Sequence, residues 1–398
     1  MTNQSIEPPF HCRWAFLGLS SIAELFYRDL TLPRDDEKHL QHELVAVSTT
    51  RSTEAAASWL AEQQVPNAST VRIYTSYADM LREGDFDVVY ISTPHGVHFE
   101  HARAALTQGR NVLLEKPATM NKAQYSRLAE IAKSNKVVFM EAMWTRYFPL
   151  TRYLQEELLS RIGPVKRILA DYSLPLFGDP TLTATSRFLD KKTGSGSLLD
   201  LGVYPLTWCD LALSSADGEE GEDDQPVTVK YAETIQHETG VSDPLDDITT
   251  IILSRSGRSP TTCVVTISSS IPGSAKLGLK DKLLREKNAP CVRIQGEKGE
   301  IALPFPPIRP ETLTVQYYGP DKLDENGFET TEVITKPVVG WGLRYQADVI
   351  ATVIRDRGSH PSDAVIVGEK GSSRVLEWVD QAKLLAGIKY EAELERVW

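Results

Sequence analysis

No run of apolar residues in this 398-residue chain approaches the ~18 needed to cross a bilayer, so no helical membrane span is expected. Cysteine is scarce. Cys12, Cys209, Cys263 and Cys291 stand far apart, with no C-x-x-C pair. That argues against a zinc site or a disulfide framework and for buried, reduced thiols in the cytosol. Residues 1–9 are polar and lack the basic-then-apolar order of a secretory leader, which adds to the expectation of a cytoplasmic protein. Positive charge is in deficit: 43 Lys and Arg against 54 Asp and Glu leave a net charge of -11. A broad nucleic-acid-binding surface needs clustered cations and is excluded, whereas a local pocket for one phosphate is not.

What is present reads as an ordinary globular chain of two or three domains, with 41% hydrophobic and 24% charged residues. The first third alternates strand and helix. Apolar runs at Arg13–Gly18, Glu43–Val47, Asp87–Ser92, Asn111–Glu115 and Val137–Met140 suit buried parallel strands. Helical spacing separates them at 22–30, 53–62, 99–106 and 122–133. After about residue 149 strands dominate, at 165–172, 227–236, 249–253, 261–268, 292–295 and 313–318, many with period-two alternation. Helical stretches flank them at 197–213, 343–355 and 374–386. The expected fold is α/β. Residues 1–148 form a Rossmann-type, doubly wound parallel sheet, and residues 149–398 an α+β domain on a mostly antiparallel open sheet. The acidic, glycine-bearing stretch Asp217–Asp224 reads as a solvated loop.

The turn after the first strand is Gly18-Leu19-Ser20-Ser21-Ile22-Ala23. It matches a G-x-G-x-x-A dinucleotide fingerprint except at Ser20, which replaces the middle glycine. Gly18, Ser20, Ser21 and Ile22 are therefore the expected pyrophosphate contacts. The second strand runs into Ser48-Thr49-Thr50-Arg51-Ser52, with no Asp or Glu to accept from a ribose 2′-hydroxyl. Arg51 offers a planar cation instead, with Ser52 beside it, so NADP is favoured over NAD. Thr93, Pro94, His95 and His98 follow the third strand as a polar rim beside the cofactor. The histidine spacing does not suit a metal site. Glu115 and Lys116 leave the ligand-binding end of a strand, where Lys116 reads equally as a functional group or a solvated turn residue.

Glu115-Lys116-Pro117, with Thr93-Pro94-His95 before it and Gly194–Tyr204 after it, resembles the Gfo/Idh/MocA oxidoreductases. Within that family, Met140–Pro149 is similar to the subgroup of dimeric trans-dihydrodiol dehydrogenases and fungal NADP-dependent D-xylose 1-dehydrogenases. The resemblance implies that Lys116 lies between nicotinamide ribose and substrate. It makes Tyr204 the acid/base, with a nearby Lys116 cation favouring phenolate, and Asp200 the accompanying carboxylate. Trp144 and Arg146 are implied as borders of the substrate pocket. It further implies a homodimer and oxidation of the anomeric hydroxyl of an aldose such as D-xylose to a lactone. A trans-dihydrodiol or secondary-metabolite dehydrogenase, a non-catalytic NADP sensor and a cofactor-retaining glycosidase are the alternatives.

Overall fold

The computed structural model describes residues 8–33, 39–66, 68–183, 185–214, 226–257, 259–271, 290–325, 327, 329–357 and 365–398. The acidic stretch at 217–224 lies outside the described residues. The chain divides into two compact units: residues 1–119, 123–144 and 339–369, and residues 120–122, 145–338 and 370–398. The division at 144/145 falls four residues before the expected boundary. Residues 339–369, expected in the second domain, join the first unit instead.

The first unit holds β1 (Phe10–Leu17), α1 (Ser21–Leu30), β2 (Leu40–Ser48), α2 (Thr53–Glu62), β3 (Arg72–Tyr74) and α3 (Tyr77–Glu83). It continues with β4 (Val88–Ile91), α4 (His98–Thr107), β5 (Asn111–Glu115), α5 (Lys122–Asn135) and β6 (Val138–Ala142). A return helix, Arg344–Arg357, and a return strand, Val365–Val367, complete it. All seven strands are parallel, in the order return strand, β6, β5, β4, β1, β2, β3. Every residue of β4 is wholly buried, as expected of a strand covered on both faces. Aromatic packing links strand to helix: Phe26 of α1 stacks on Tyr90 of β4 at 4.2 Å, and Phe16 of β1 meets the same ring edge-on at 5.2 Å.

Polar pairs, one buried and one half-buried, fasten the return helix. The Asp29 carboxylate of α1 accepts the Trp341 and Leu343 N–H groups, at 2.9 and 2.8 Å, just ahead of the helix start. Asp348 receives His42 Nε2 at 3.0 Å, while the Trp14 indole donates to His42 Nδ1 at 3.1 Å. An indole nitrogen only donates, so Nδ1 is the bare nitrogen and Nε2 carries the proton to Asp348.

The second unit is an eight-stranded sheet. Its strands are β7 (Val165–Ser173), β8 (Thr228–His237), β9 (Leu245–Arg255), β10 (Thr261–Ser268), β11 (Pro290–Gly296), β12 (Gly299–Pro304), β13 (Thr312–Tyr317) and β14 (Thr331–Thr335). The order is β14, β13, β12, β11, β7, β10, β9, β8, and only the β7–β10 pair is parallel. One face is covered by α6 (Val203–Leu213), which is buried around nearly its whole circumference. Ile168, Ala170 and Tyr172 of β7 are buried, while on the opposite face of the same strand Arg167 is exposed and Leu169 and Asp171 are half-buried. A long helix, α7 (Glu369–Ala386), follows near the C-terminus. All four cysteines are buried and free, and burial pushes the Cys291 thiol up to about 12.

Candidate active site

The turn after β1 sits where the strand order reverses, between β1 and β4. Open α/β sheets bind ligands at that point. Gly18 adopts φ +92 there, and a Cβ on it would stand 3.2 Å from Thr93 Cγ2 and 3.4 Å from Ser92 O. Its N–H donates to Ser48 O at 3.0 Å, and its carbonyl accepts from Ser92 Oγ at 3.0 Å. The backbone thus threads between the ends of β2 and β4, where only glycine fits. Ser20 is the N-cap of α1, its hydroxyl oxygen accepting the Ala23 N–H at 3.4 Å. The residue in place of the middle glycine therefore has a local task, starting the helix. Ser21 and Ile22 follow in the first turn, whose N–H groups have no intrahelical acceptors. A narrow glycine cradle beside a helix N-terminus fits a dinucleotide pyrophosphate.

At the end of β2, Arg51 is exposed, and its N–H donates to Thr49 Oγ1 at 3.1 Å. Ser52 caps α2 by accepting the Ala55 N–H at 3.3 Å. Tyr77, the first residue of α3, joins this corner. Burial raises its hydroxyl above the usual range, while a hydrogen bond with Thr50 and the charge of Arg51 pull it back. Its ring meets that of His101 edge-on at 5.0 Å, and His101 Nδ1 lies 3.0 Å from Thr93 Oγ1. Burial lowers the His101 pKa, against the opposing charge of Glu100. Arg51, Thr93, Tyr77 and His101 therefore gather at one edge. Tyr77 was not foreseen as a site residue because the three-residue β3 that delivers it is too short to show a period.

Glu115 and His98 brace the turn that carries Lys116. The Glu115 carboxylate, 7% exposed, accepts the Tyr90 hydroxyl at 2.7 Å and the Lys116 N–H at 3.2 Å. His98 is fully buried, with Nδ1 2.8 Å from Pro117 O and Nε2 2.7 Å from Thr93 O. Its two ring nitrogens tie the turn after β4 to the turn after β5. Pro94 precedes a single 3-10 turn, His95–Val97, and the buried His95 ring lies 5.6 Å from that of His98. Lys116 joins Pro117 through a cis peptide bond. Trp144, 7% exposed, is the last residue of the first unit before the chain enters the second.

In the second unit the chain enters α6 through a π turn, Leu198–Gly202, of the kind often found at functional sites. Asp200 lies on that turn and Tyr204 one helical turn later, 6% and 5% exposed. Gly202 permits the approach to β10, because a Cβ there would stand 2.8 Å from Ile267 Cδ1. The Tyr204 ring meets Tyr172 edge-on at 5.5 Å. Burial, reinforced by Tyr204 and Asp200, holds the Tyr172 hydroxyl well above its usual range, so Tyr172 is a packed neutral ring. Arg187 Nη2 lies 3.9 Å from Asp200 Oδ1, and its guanidinium stacks on Phe188 at 4.0 Å. Sequence reasoning missed this arginine, which sits in an irregular segment without periodicity. Arg146 donates from Nη1 to the buried Asp210 at 2.7 Å, and Asp210 also receives Arg374 Nε at 2.6 Å. The structure thus groups Asp200 and Tyr204 with Arg187, and places Arg146 in an ion-paired cluster with Asp210 and Arg374.

Residues 12–143 match the model of the oxidoreductase family with an NAD-binding Rossmann fold, GFO_IDH_MocA. The chain is 32% identical to the NADP-dependent D-xylose 1-dehydrogenase of Hypocrea jecorina, over 96% of this chain and 94% of that one. It is 28% identical to the trans-1,2-dihydrobenzene-1,2-diol dehydrogenase of Xenopus tropicalis, over 95% and 99% of the two chains. Among solved structures, the 3-ketoreductase KijD10 from Actinomadura kijaniata, in complex with NADP and TDP-benzene, superposes with a TM-score of 0.69 at 20% identity, covering 95% of this chain and 98% of that one. The fold therefore extends over both units, and the chain belongs to the Gfo/Idh/MocA family of oxidoreductases.

Proposed function

We propose that the protein is an NADP-dependent dehydrogenase that oxidises the anomeric hydroxyl of an aldose, with D-xylose as the first substrate to test. The observation that carries this reading is the placement of a buried phenol, Tyr204, and a buried carboxylate, Asp200, one helical turn apart at the entrance to α6. Arg187 beside Asp200 adds donors to that acceptor, a combination suited to adjacent sugar hydroxyls. The chain-length likeness to a D-xylose dehydrogenase supports the choice of sugar. When bound, NADP supplies the hydride acceptor.

Gly18, Ser20, Ser21 and Ile22 bind the pyrophosphate, and Arg51 and Ser52 the 2′-phosphate. Thr93, Pro94, His95, His98 and Glu115 shape the rim and present Lys116. Tyr204 takes the proton of the C1 hydroxyl as that carbon is oxidised to the lactone, and Asp200 orients the sugar. Trp144 and Arg146 border the pocket. Tyr204→Phe keeps the ring and removes the hydroxyl, so turnover of D-xylose is expected to fall by about 10²–10⁴ with NADP affinity preserved. Near-normal turnover of the folded variant refutes the assignment. Combining it with Lys116→Met is expected to be less than additive. The part-exposed face of the second sheet, with Leu169 on β7, Ala302 and Pro304 on β12 and the exposed Val333 on β14, supports a two-fold homodimer. Light scattering that gives a single monomeric mass at micromolar concentration rules that out.

A further inference from the structure

The segment that carries Asp200 and Tyr204 starts without a cap of its own. Ser197, at the N-cap position, has helical backbone angles, and its side chain makes no capping hydrogen bond. The acceptor comes from far along the chain. Asp246 on β9, 2% exposed, takes the Leu198 N–H on Oδ2 at 2.7 Å and the Ser197 hydroxyl on the same oxygen at 3.1 Å. Its other oxygen lies against Gly196, at φ +139, so closely that a Cβ there would overlap Oδ1 and stand 2.8 Å from the Tyr390 hydroxyl oxygen. Tyr390 in turn donates to Ser195 O at 2.9 Å, with Asp246 Oδ1 at 3.4 Å. Ser195, Gly196, Ser197 and Leu198 are thus each in contact with one carboxylate–phenol pair.

We infer that Asp246, backed by Tyr390, is a positioning residue for the reaction. It fixes the turn Ser195–Leu198 and thereby the placement of Asp200 and Tyr204 toward substrate. The inference rests on the acid/base assignment of Tyr204 given above. Stability alone does not select a carboxylate at this position. Burial pushes Asp246 above the usual carboxylate range, in spite of its hydrogen bonds and the nearby Lys191 charge. An asparagine oxygen could accept the same Leu198 N–H without that desolvation. The ionised form adds a shorter, charge-assisted bond and a negative charge at the positive end of a helix, both of which reduce play in the turn. Small displacements of reacting groups are expensive in rate: about 1 Å can cost 10²-fold.

The test compares Asp246→Asn, Asp246→Ala and Tyr204→Phe in the full-length protein. Turnover of D-xylose, NADP affinity, melting temperature and amide hydrogen exchange are measured for each. For Asp246→Asn, kcat is expected to fall at least tenfold, with NADP affinity within twofold and melting temperature unchanged or higher. A merely structural aspartate would give the opposite split. Exchange at the amides of 198–204 should quicken at least tenfold in Asp246→Ala, with the β7 and β10 amides unchanged. Normal kcat in both Asp246 variants alongside an inactive Tyr204→Phe overturns the inference and leaves the proposed function standing. An active Tyr204→Phe removes the acid/base reading. Hydrogen exchange then decides alone: quickened exchange at 198–204 supports the clamp, and unchanged exchange overturns it.

Discussion

Gly371→Ala is expected to destabilise the protein, against the usual effect of replacing a helical glycine. Gly371 lies near the start of α7, where alanine would ordinarily add about 0.5–1 kcal/mol. Here an added Cβ would stand 2.7 Å from Asp210 Oδ2 and 2.8 Å from Arg146 Nη1. Neither atom has an easy retreat. The Asp210 side chain is 2% exposed and held from both sides, by Arg146 at 2.7 Å and by Arg374 at 2.6 Å. Making room for the methyl group means stretching a charge-assisted hydrogen bond worth about 1.5–3 kcal/mol. The net cost is then about 0.5–2.5 kcal/mol. At ~2–4 °C per kcal/mol for a unit of this size, the transition of the second unit should fall by about 1–10 °C in scanning calorimetry. A double-mutant cycle sharpens the test. Asp210→Ala alone removes the carboxylate that Arg146 and Arg374 share and should cost about 3–5 kcal/mol. In that background the added methyl meets no carboxylate, so Gly371→Ala should return to stabilising. A Gly371→Ala protein that melts above its parent refutes the reasoning, because the cluster would then be yielding freely.

Three further outcomes are expected. Arg51→Asp should weaken NADP binding about tenfold or more, the equivalent of one charge-assisted phosphate contact of ~1.5–3 kcal/mol, and narrow the preference over NAD in titration calorimetry; equal affinities for both cofactors in the parent protein would sink it. Arg187→Gln should raise KM for the aldose about tenfold with a smaller change in kcat and no change in NADP affinity, and an unaltered KM removes Arg187 from the pocket. Asp171 accepts from Thr266 Oγ1 at 2.7 Å and Ser173 Oγ at 2.9 Å, yet burial raises its pKa. The folded state therefore keeps this proton to higher pH than the unfolded chain, and the stability linked to it is lost as pH rises through the folded value. Asp171→Asn should match its parent in melting temperature near pH 4 and exceed it at pH 7, and a parent that gains on the variant as pH rises contradicts the sign.

The Rossmann strands of the first 142 residues were legible because parallel strands covered on both faces leave unbroken apolar runs. β4 and β5 stand within a residue or so of where the runs place them. The elements of the first unit that were missed are short: β3 and the return strand have three residues each, and α3 has seven, barely two turns. In the second sheet, β9 starts at Leu245 rather than at the expected Thr249. Two consecutive acids, Asp246 and Asp247, look like loop residues in sequence. Both are buried, and Asp247 is satisfied by the Ser269 and Ser270 N–H groups at 2.8 and 3.0 Å. The candidate site divides the same way. Gly18, Lys116 and Tyr204 sit in motifs that can be read locally, whereas Tyr77, Arg187 and Asp246 acquire their neighbours only through tertiary packing.

The return of residues 339–369 to the first sheet bears on how the protein is made. On the ribosome the chain emerges from its N-terminus, and β6 is complete at Ala142. Its neighbour, the return strand, begins only at Val365, more than 200 residues later. At ~5–20 residues per second, the newborn nucleotide-binding sheet waits about 10–45 s with its β6 edge unpaired. During that interval Asp29 and His42 also lack the partners supplied by Trp341, Leu343 and Asp348. An unpaired edge next to uncovered apolar surface is a template for association with other chains. Premature termination anywhere before residue 339 would therefore leave both units impaired, and overproduction at high temperature should favour inclusion bodies over partly active fragments.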